Sequence, residues 1–243
     1  MKERPILFSS PMVNAIRAGR KTQTRRVVKR VKIHADHGEP RWDDAWIDDS
    51  YNPPCLKVRY GDENDPTTPA GGTVQRHYCP YGVPGDRLWV KETWWQAHSY
   101  PITMPNGEPS EQNGSRLVHY AAEGDPPNTP NRHYPDGLRG GSFAAPDPYA
   151  SWHKRPSIHM PRWASRILLE VVSVRVERVE AISEADAIAE GFAESFDSAG
   201  GCHERTTARE NFLAYFWELN DRRVAIDPPW VWAVEFKVIG GAA

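Results

Sequence analysis

The chain has 243 residues, 39% of them apolar, with 10 Trp and a formal net charge of −2. That length suits one elaborated domain, the apolar share supports a packed core, and no apolar run approaches the roughly 20 residues that cross a bilayer. The start, Met1-Lys2-Glu3-Arg4-Pro5, lacks the apolar stretch of a secretory signal, so a cytoplasmic protein with no membrane partner is expected.

Pro5 to Phe8 reads as a short strand. Ser9 or Ser10 can cap the next element, with Pro11 in its first turn, and Met12, Val13 and Ile16 fall at helical spacing. Gly19 is a plausible stop for that helix. The segment from Lys21 therefore starts just after a helix, and Thr22, Thr24 and Val27-Val28 suggest that it enters a strand. Residues 33–82 are polar and rich in Gly, Pro and Asp. Gly85-Asp86-Arg87 is a turn into a strand over Leu88 to Trp95, and Leu117 to Ala121 is a second strand candidate. Residues 122–162 carry many Pro and Gly with little periodicity, which points to a long functional loop. Ile167 to Val179 is the clearest strand, since its second half alternates Val with charge. Ser183-Glu184-Ala185-Asp186 resembles a capping box, opening a short helix that runs to Gly191. Thr206 to Leu219 is a longer helix with Phe212, Tyr215, Phe216 and Leu219 on one face. Pro228-Pro229 breaks the chain before a final strand, Trp230 to Ile239. Many strands with a few helices predict an α+β chain, a small mixed β-barrel with peripheral helices.

The small net charge hides an asymmetry. From Arg4 to Ala35 there are nine Lys or Arg and no Asp or Glu. With Lys2 and Glu3 set aside as well, the rest of the chain holds 20 basic against 31 acidic residues, a balance of about −11. A basic segment on an acidic protein is a local anion site rather than a general polyanion binder. The three cysteines, Cys55, Cys79 and Cys202, are odd in number and widely spaced, which is not a disulfide framework. Cys55, His77 and Cys79 lack a CxxC and a fourth ligand, so neither metal nor cofactor is expected.

Four features occur together in order: Gly19-Arg20-Lys21-Thr22-x-Thr24-x-Arg26 after a short helix, the Gly85-Asp86 turn into a strand, Ser183-x-x-x-Ala187-x-x-Glu190-Gly191, and a closing Trp230-Val231-x-x-x-Glu235-Phe236 strand. In this the chain resembles the ASCH domain family, whose larger members are common in phages and prophages. The resemblance implies a single domain over residues 1–243 with a PUA-like mixed β-barrel, insertions at about 33–82 and 122–162, and a role in handling nucleic acid or nucleosides. The first motif is similar to that of small bacterial N4-acetylcytidine amidohydrolases, which use its Lys, its second Thr and a later Glu. Carried over, these imply catalytic roles for Lys21, Thr24 and Glu190. This chain differs in carrying Arg25 where that branch often has an apolar residue, and it is more than twice as long.

These residue types suit amide hydrolysis. Thr24 can attack if a base takes its proton, and Lys21 can be that base only if its pKa falls well below about 10.4. Glu190 can orient Lys21 or carry protons to the leaving amine. In a regular strand Lys21 and Thr24 face opposite sides, so they converge only if residues 21–24 turn. Arg20, Thr22, Arg25 and Arg26 complete a basic, hydroxyl-rich segment, and the two adjacent Arg suit bidentate phosphate contacts. Trp94, Trp95, Trp163 and Tyr120 can stack on a base, with His159 and Arg162 beside Trp163 in the sequence, although core packing is the commoner fate of such aromatics. The expected partner is a nucleoside or nucleic acid, RNA or single-stranded DNA. Three readings remain open at this point: an amidohydrolase of an acylated nucleobase, a non-catalytic RNA- or DNA-binding module, and a metal-independent ribonuclease.

Overall fold

The computed structural model describes residues 1–29, 40–60, 73–99, 116–138, 142–146, 150–197, 204–220 and 229–240. The chain is α+β and dominated by strands, with a few short helices. It groups into two compact units, each assembled from separated segments. Unit 1 holds residues 1–4, 18–88 and 169–239, and unit 2 holds residues 5–17, 89–168 and 240–243.

The main sheet has five strands in the order β1 (Glu3–Leu7), β6 (Arg87–Lys91), β11 (Leu168–Arg178), β14 (Trp230–Gly240) and β2 (Gln23–Val27). It lies largely in unit 1, and β1 and β6 run from unit 1 into unit 2. β14 pairs antiparallel with β2, setting Gln23 opposite Glu235, Thr24 opposite Val234, Arg25 opposite Ala233 and Arg26 opposite Trp232. Directly opposed residues share a face and neighbours along a strand alternate. One face of this pair therefore carries Gln23, Arg25, Val27, Val231, Ala233 and Glu235, and the other carries Thr24, Arg26, Trp232 and Val234.

Two helices of unit 1 are capped by their own sequence. Ser183 accepts the Asp186 amide at 3.1 Å and opens α2 (Glu184–Ala189). Thr207 and Glu210 form a reciprocal capping box at the start of α3 (Ala208–Leu219). The Glu184 carboxylate also accepts the first amides of α3, Ala208 N at 2.8 Å and Arg209 N at 3.0 Å. It so satisfies two donors that a helix start leaves open. Phe212 and Phe216 of α3 pack with Ala187 of α2, Val231 of β14, Val179 and Ile182, and Val27 of β2 joins them. The helices thus cover the Arg25 face of the sheet at its apolar end.

Also in unit 1, β3 (Pro40–Asp48), β4 (Cys55–Tyr60) and β5 (Thr73–His77) form a three-stranded antiparallel sheet. It lies inside the stretch expected to be an insertion without strong patterning. Its core is Cys55, Leu56 and Val58 on β4, all fully buried. A small antiparallel pair, β12 (Ser195–Asp197) with β13 (Glu204–Thr206), completes the unit.

Unit 2 contains α1 (Ser10–Arg17), which buries Val13, Ala15 and Ile16. Its sheet runs β8 (Val118–Tyr120), β7 (Trp94–Ser99), β10 (Ala150–Arg155), β9 (Phe143–Ala144). The single strand expected over residues 88–95 is two strands, β6 and β7, parted at Glu92-Thr93. β10 lies within the stretch read as a loop, and two 3-10 turns follow it, Ser157–His159 and Arg162–Ala164. No helix among the described residues is long and apolar enough to cross a membrane.

Candidate functional site

The basic motif begins just past α1. Gly19 takes φ +70, a conformation that glycine adopts without the Cβ clash, and the chain reverses there. Lys21 then forms an isolated antiparallel bridge with Glu190, immediately after α2. Thr22 N donates to Ala189 O at 2.7 Å, and Phe236 N donates to Thr22 O at 2.8 Å. The motif is therefore threaded between the end of α2 and the edge of β14 by its own backbone.

That threading brings together groups 169 residues apart. Lys21 Nζ lies 2.6 Å from Glu190 Oε2 and donates also to Glu190 O at 2.9 Å, with both side chains sealed from solvent. Arg25 Nη1 reaches the other oxygen, Glu190 Oε1, at 3.4 Å. The same guanidinium lies 2.7 Å from Glu177 Oε1 and 3.1 Å from Asp186 Oδ2, and donates to Gln23 Oε1 at 3.3 Å. Arg25 lies opposite Ala233 of β14, and its guanidinium reaches Glu177 on β11, the next strand of the sheet. Phe212 of α3 lies under it at 5.9 Å. Arg175 is paired with Asp186 at 3.3 Å.

The electrostatics follow from this packing. Burial lowers the Lys21 pKa most; the charge and hydrogen bond of Glu190 raise it, Arg26 and Arg25 lower it, and the net result is below the ordinary lysine value. For Asp186, burial pushes upward, but Arg25, the Ser183 and Gln23 hydrogen bonds and Arg175 outweigh it, so the carboxyl titrates lower than usual. Glu190 sits at the C-terminal end of α2, where a negative charge opposes the helix dipole by about 0.3–1 kcal/mol. Two buried cations on its two oxygens offset that cost. Gly191, at φ +95, ends the helix immediately afterwards.

The expected site residues separate into groups. Lys21, Arg25 and Glu190 meet. Thr24 is buried on β2, on the opposite face from Gln23 and Arg25, because residues 23–27 are extended rather than turned. Arg25, expected to contact phosphate, is instead buried with its guanidinium engaged by three carboxylates. Arg26 shares the Thr24 face opposite Trp232. Arg20 and Thr22 are exposed, with Arg20 Nη1 3.5 Å from Gly191 O. Trp94, His159, Arg162 and Trp163 belong to unit 2. There Trp94 is buried against Met160 and Ala164, whereas His159, Arg162 and Trp163 are exposed. Gln23, Glu177 and Asp186 were missed from sequence, since Glu177 reads as one charge in an alternating strand and Asp186 as part of a helix cap.

Unit 2 carries a second buried charge network. Glu92 is 1% exposed and receives Arg166 at both oxygens, 3.0 and 3.1 Å. Arg166 also bonds Glu123, which Arg17 meets at 3.0 Å, and its guanidinium lies 3.7 Å over the Tyr120 ring. Burial raises the Glu92 pKa against the pull of Arg166. Cys55 and Cys79 are free thiols, the latter pushed up to about 11 by burial. Among the described residues no three His, Cys, Asp or Glu are grouped to hold a metal. Comparison with protein-family models, with curated proteins and with solved structures returned no match.

Proposed function

We propose that this chain is a hydrolase that removes an acyl group from a modified cytosine-type nucleobase or nucleoside, built on a PUA-like (ASCH) plan, with Lys21 and Glu190 as its proton-transfer pair. The observation that carries the reading is the 2.6 Å contact between Lys21 Nζ and Glu190 Oε2 in a solvent-excluded setting that lowers the lysine pKa. A general base needs a pKa near the working pH, and burial is the standard way to bring an amine there. The nearby carboxylate then gives the proton a second station on its way to the leaving amine.

The attacking oxygen in this reading is a water taken up at the pair. Thr24 lies on the face of β2 opposite Arg25, the residue that meets the other oxygen of Glu190. Arg20 and Thr22, exposed beside the pair's backbone, are the motif positions open to substrate.

A second reading, a non-catalytic RNA- or DNA-binding module, is favoured by one specific observation. The side chains of Lys21 and Glu190 are 0% and 2% exposed. A pair so enclosed also serves as a purely structural tie.

Incubation with N4-acetylcytidine, and separately with labelled RNA and single-stranded DNA, decides between them. The hydrolase reading predicts acetate release that falls at least a hundredfold in Glu190→Gln, since general acid–base groups contribute about 10²–10⁴-fold. Lys21→Ala should abolish release, and Thr24→Ala should retain it. Nucleic-acid binding by a folded wild type that releases no acetate would replace this reading with the binding module.

A further inference from the structure

We propose that the segment around Trp163 in unit 2 is a stacking subsite for single-stranded nucleic acid. From Ala150 to Leu169 the chain holds Lys154, Arg155, Arg162, Arg166 and two His, with no Asp or Glu. This is a second acid-free basic stretch, separate in sequence from the one at the N-terminus. Arg166 is neutralised by Glu92 and Glu123. Arg162 and Arg116 are exposed, and Arg155, opposite Trp94 in the β7–β10 pairing, is half-buried on the same face as Trp94.

The aromatic component is Trp163, 46% exposed. An indole left that open needs a reason, because a large aromatic gains most by burial. Its position is fixed from below. Trp94 meets it edge-on, with ring centroids 5.9 Å apart and planes at 89°. Trp94 is itself locked against Met160 and Ala164, and its indole N–H has no acceptor among the described residues. Packing holds the indole, and the backbone of Trp94 is fixed in β7 between Arg155 and Tyr120. The Arg116 guanidinium lies over one face of the Trp163 ring, 5.8 Å from its centroid, so a base would stack on the other face. The two 3-10 turns, Ser157–His159 and Arg162–Ala164, keep the segment short and ordered, and Tyr120 ties it down by donating to Ala164 O at 3.0 Å.

A rigid exposed indole with guanidinium groups near it matches an unstacked base with its phosphates. Every base has a face to stack, and single strands offer that face freely. A duplex hides its base faces, and an acidic peptide supplies charge without a partner for the indole. The chemistry therefore selects single strands. This subsite extends the nucleic-acid role proposed above to a polymer, and it is read by binding rather than by turnover.

The test uses the whole chain and a labelled 12-nucleotide oligo(dT) or oligo(rU), with a duplex of equal length and a poly-glutamate peptide as competitors. Wild type should bind the single strand, compete poorly with duplex or peptide, and show a log–log salt slope of about −2, the value for three phosphate contacts on a single strand. Trp163→Ala should weaken binding about tenfold or more, Trp163→Phe should restore most of it, and Arg116→Ala should flatten the slope. Lys237→Ala, at an exposed lysine of unit 1, should bind as wild type does. Absent acetate release with intact Trp163-dependent binding would remove the hydrolase reading and leave this one standing. Equal competition by duplex or peptide, binding unchanged in Trp163→Ala, or no single-strand binding would overturn it.

Discussion

At Arg25 three carboxylates converge on one guanidinium, and the site's charge balance depends on it. Removing one partner from a buried ion network costs about 3–5 kcal/mol, mostly from the charges left without compensation. Arg25→Met is accordingly expected to lower stability by about that amount, read as a fall in the urea midpoint at unchanged m-value. Arg25→Lys should recover only part of it, because an ammonium cannot span Glu177, Asp186 and Glu190 as a planar fork does. The sequence pointed to Lys21 with Glu190 through a motif resemblance, and the two side chains do touch. It did not show the role of Arg25, whose carboxylate partners Glu177 and Glu190 lie 152 and 165 residues away. Local sequence carries no trace of a contact that only sheet order creates. Thr24 shows what alternation does make legible: in the extended β2 it lies on the opposite face from Gln23 and Arg25.

Among the elements, α2 places Glu190, and α3 holds α2. The link is Glu184, whose carboxylate accepts both Ala208 N and Arg209 N, while the Arg209 side chain donates to Ile182 O and Glu180 O. Glu184→Ala removes the acceptor for two helix-start donors, so a loss of about 0.5–2 kcal/mol is expected, the range for a lost cap. Hydrogen exchange should report it as faster exchange in α2 and the first turn of α3, with the β3–β5 sheet unaffected. The caps Ser183 and Thr207 were legible because a cap is written within four residues. The long strands β11 and β14 were legible through Val-rich alternation and a proline break. β3, β5 and β10 were not, since Gly, Pro and Asp nearby outweighed their few apolar positions. In β10 the buried residues are Ala150, Ser151 and Trp152, a run without a strand's period.

For the whole molecule, the enclosed lysine predicts a pH signature. Its folded pKa lies below its unfolded value of about 10.4, so between the two the unfolded chain binds more protons. Stability then rises with pH across that window, and below the folded pKa the full cost of the buried charge is present. The double variant Lys21→Met/Glu190→Leu removes the pair together, and its stability relative to wild type should decline as pH climbs through that window. A difference that stays flat from pH 7 to 10.5 would show that Lys21 titrates normally. The most direct test of the central claim is acetate release from N4-acetylcytidine as a function of pH. A rising limb with its midpoint below about 10.4, absent in Lys21→Ala while circular dichroism shows that variant folded, is the result the account predicts. No release at any pH by folded wild type, or a rising limb that persists in Lys21→Ala, would contradict it.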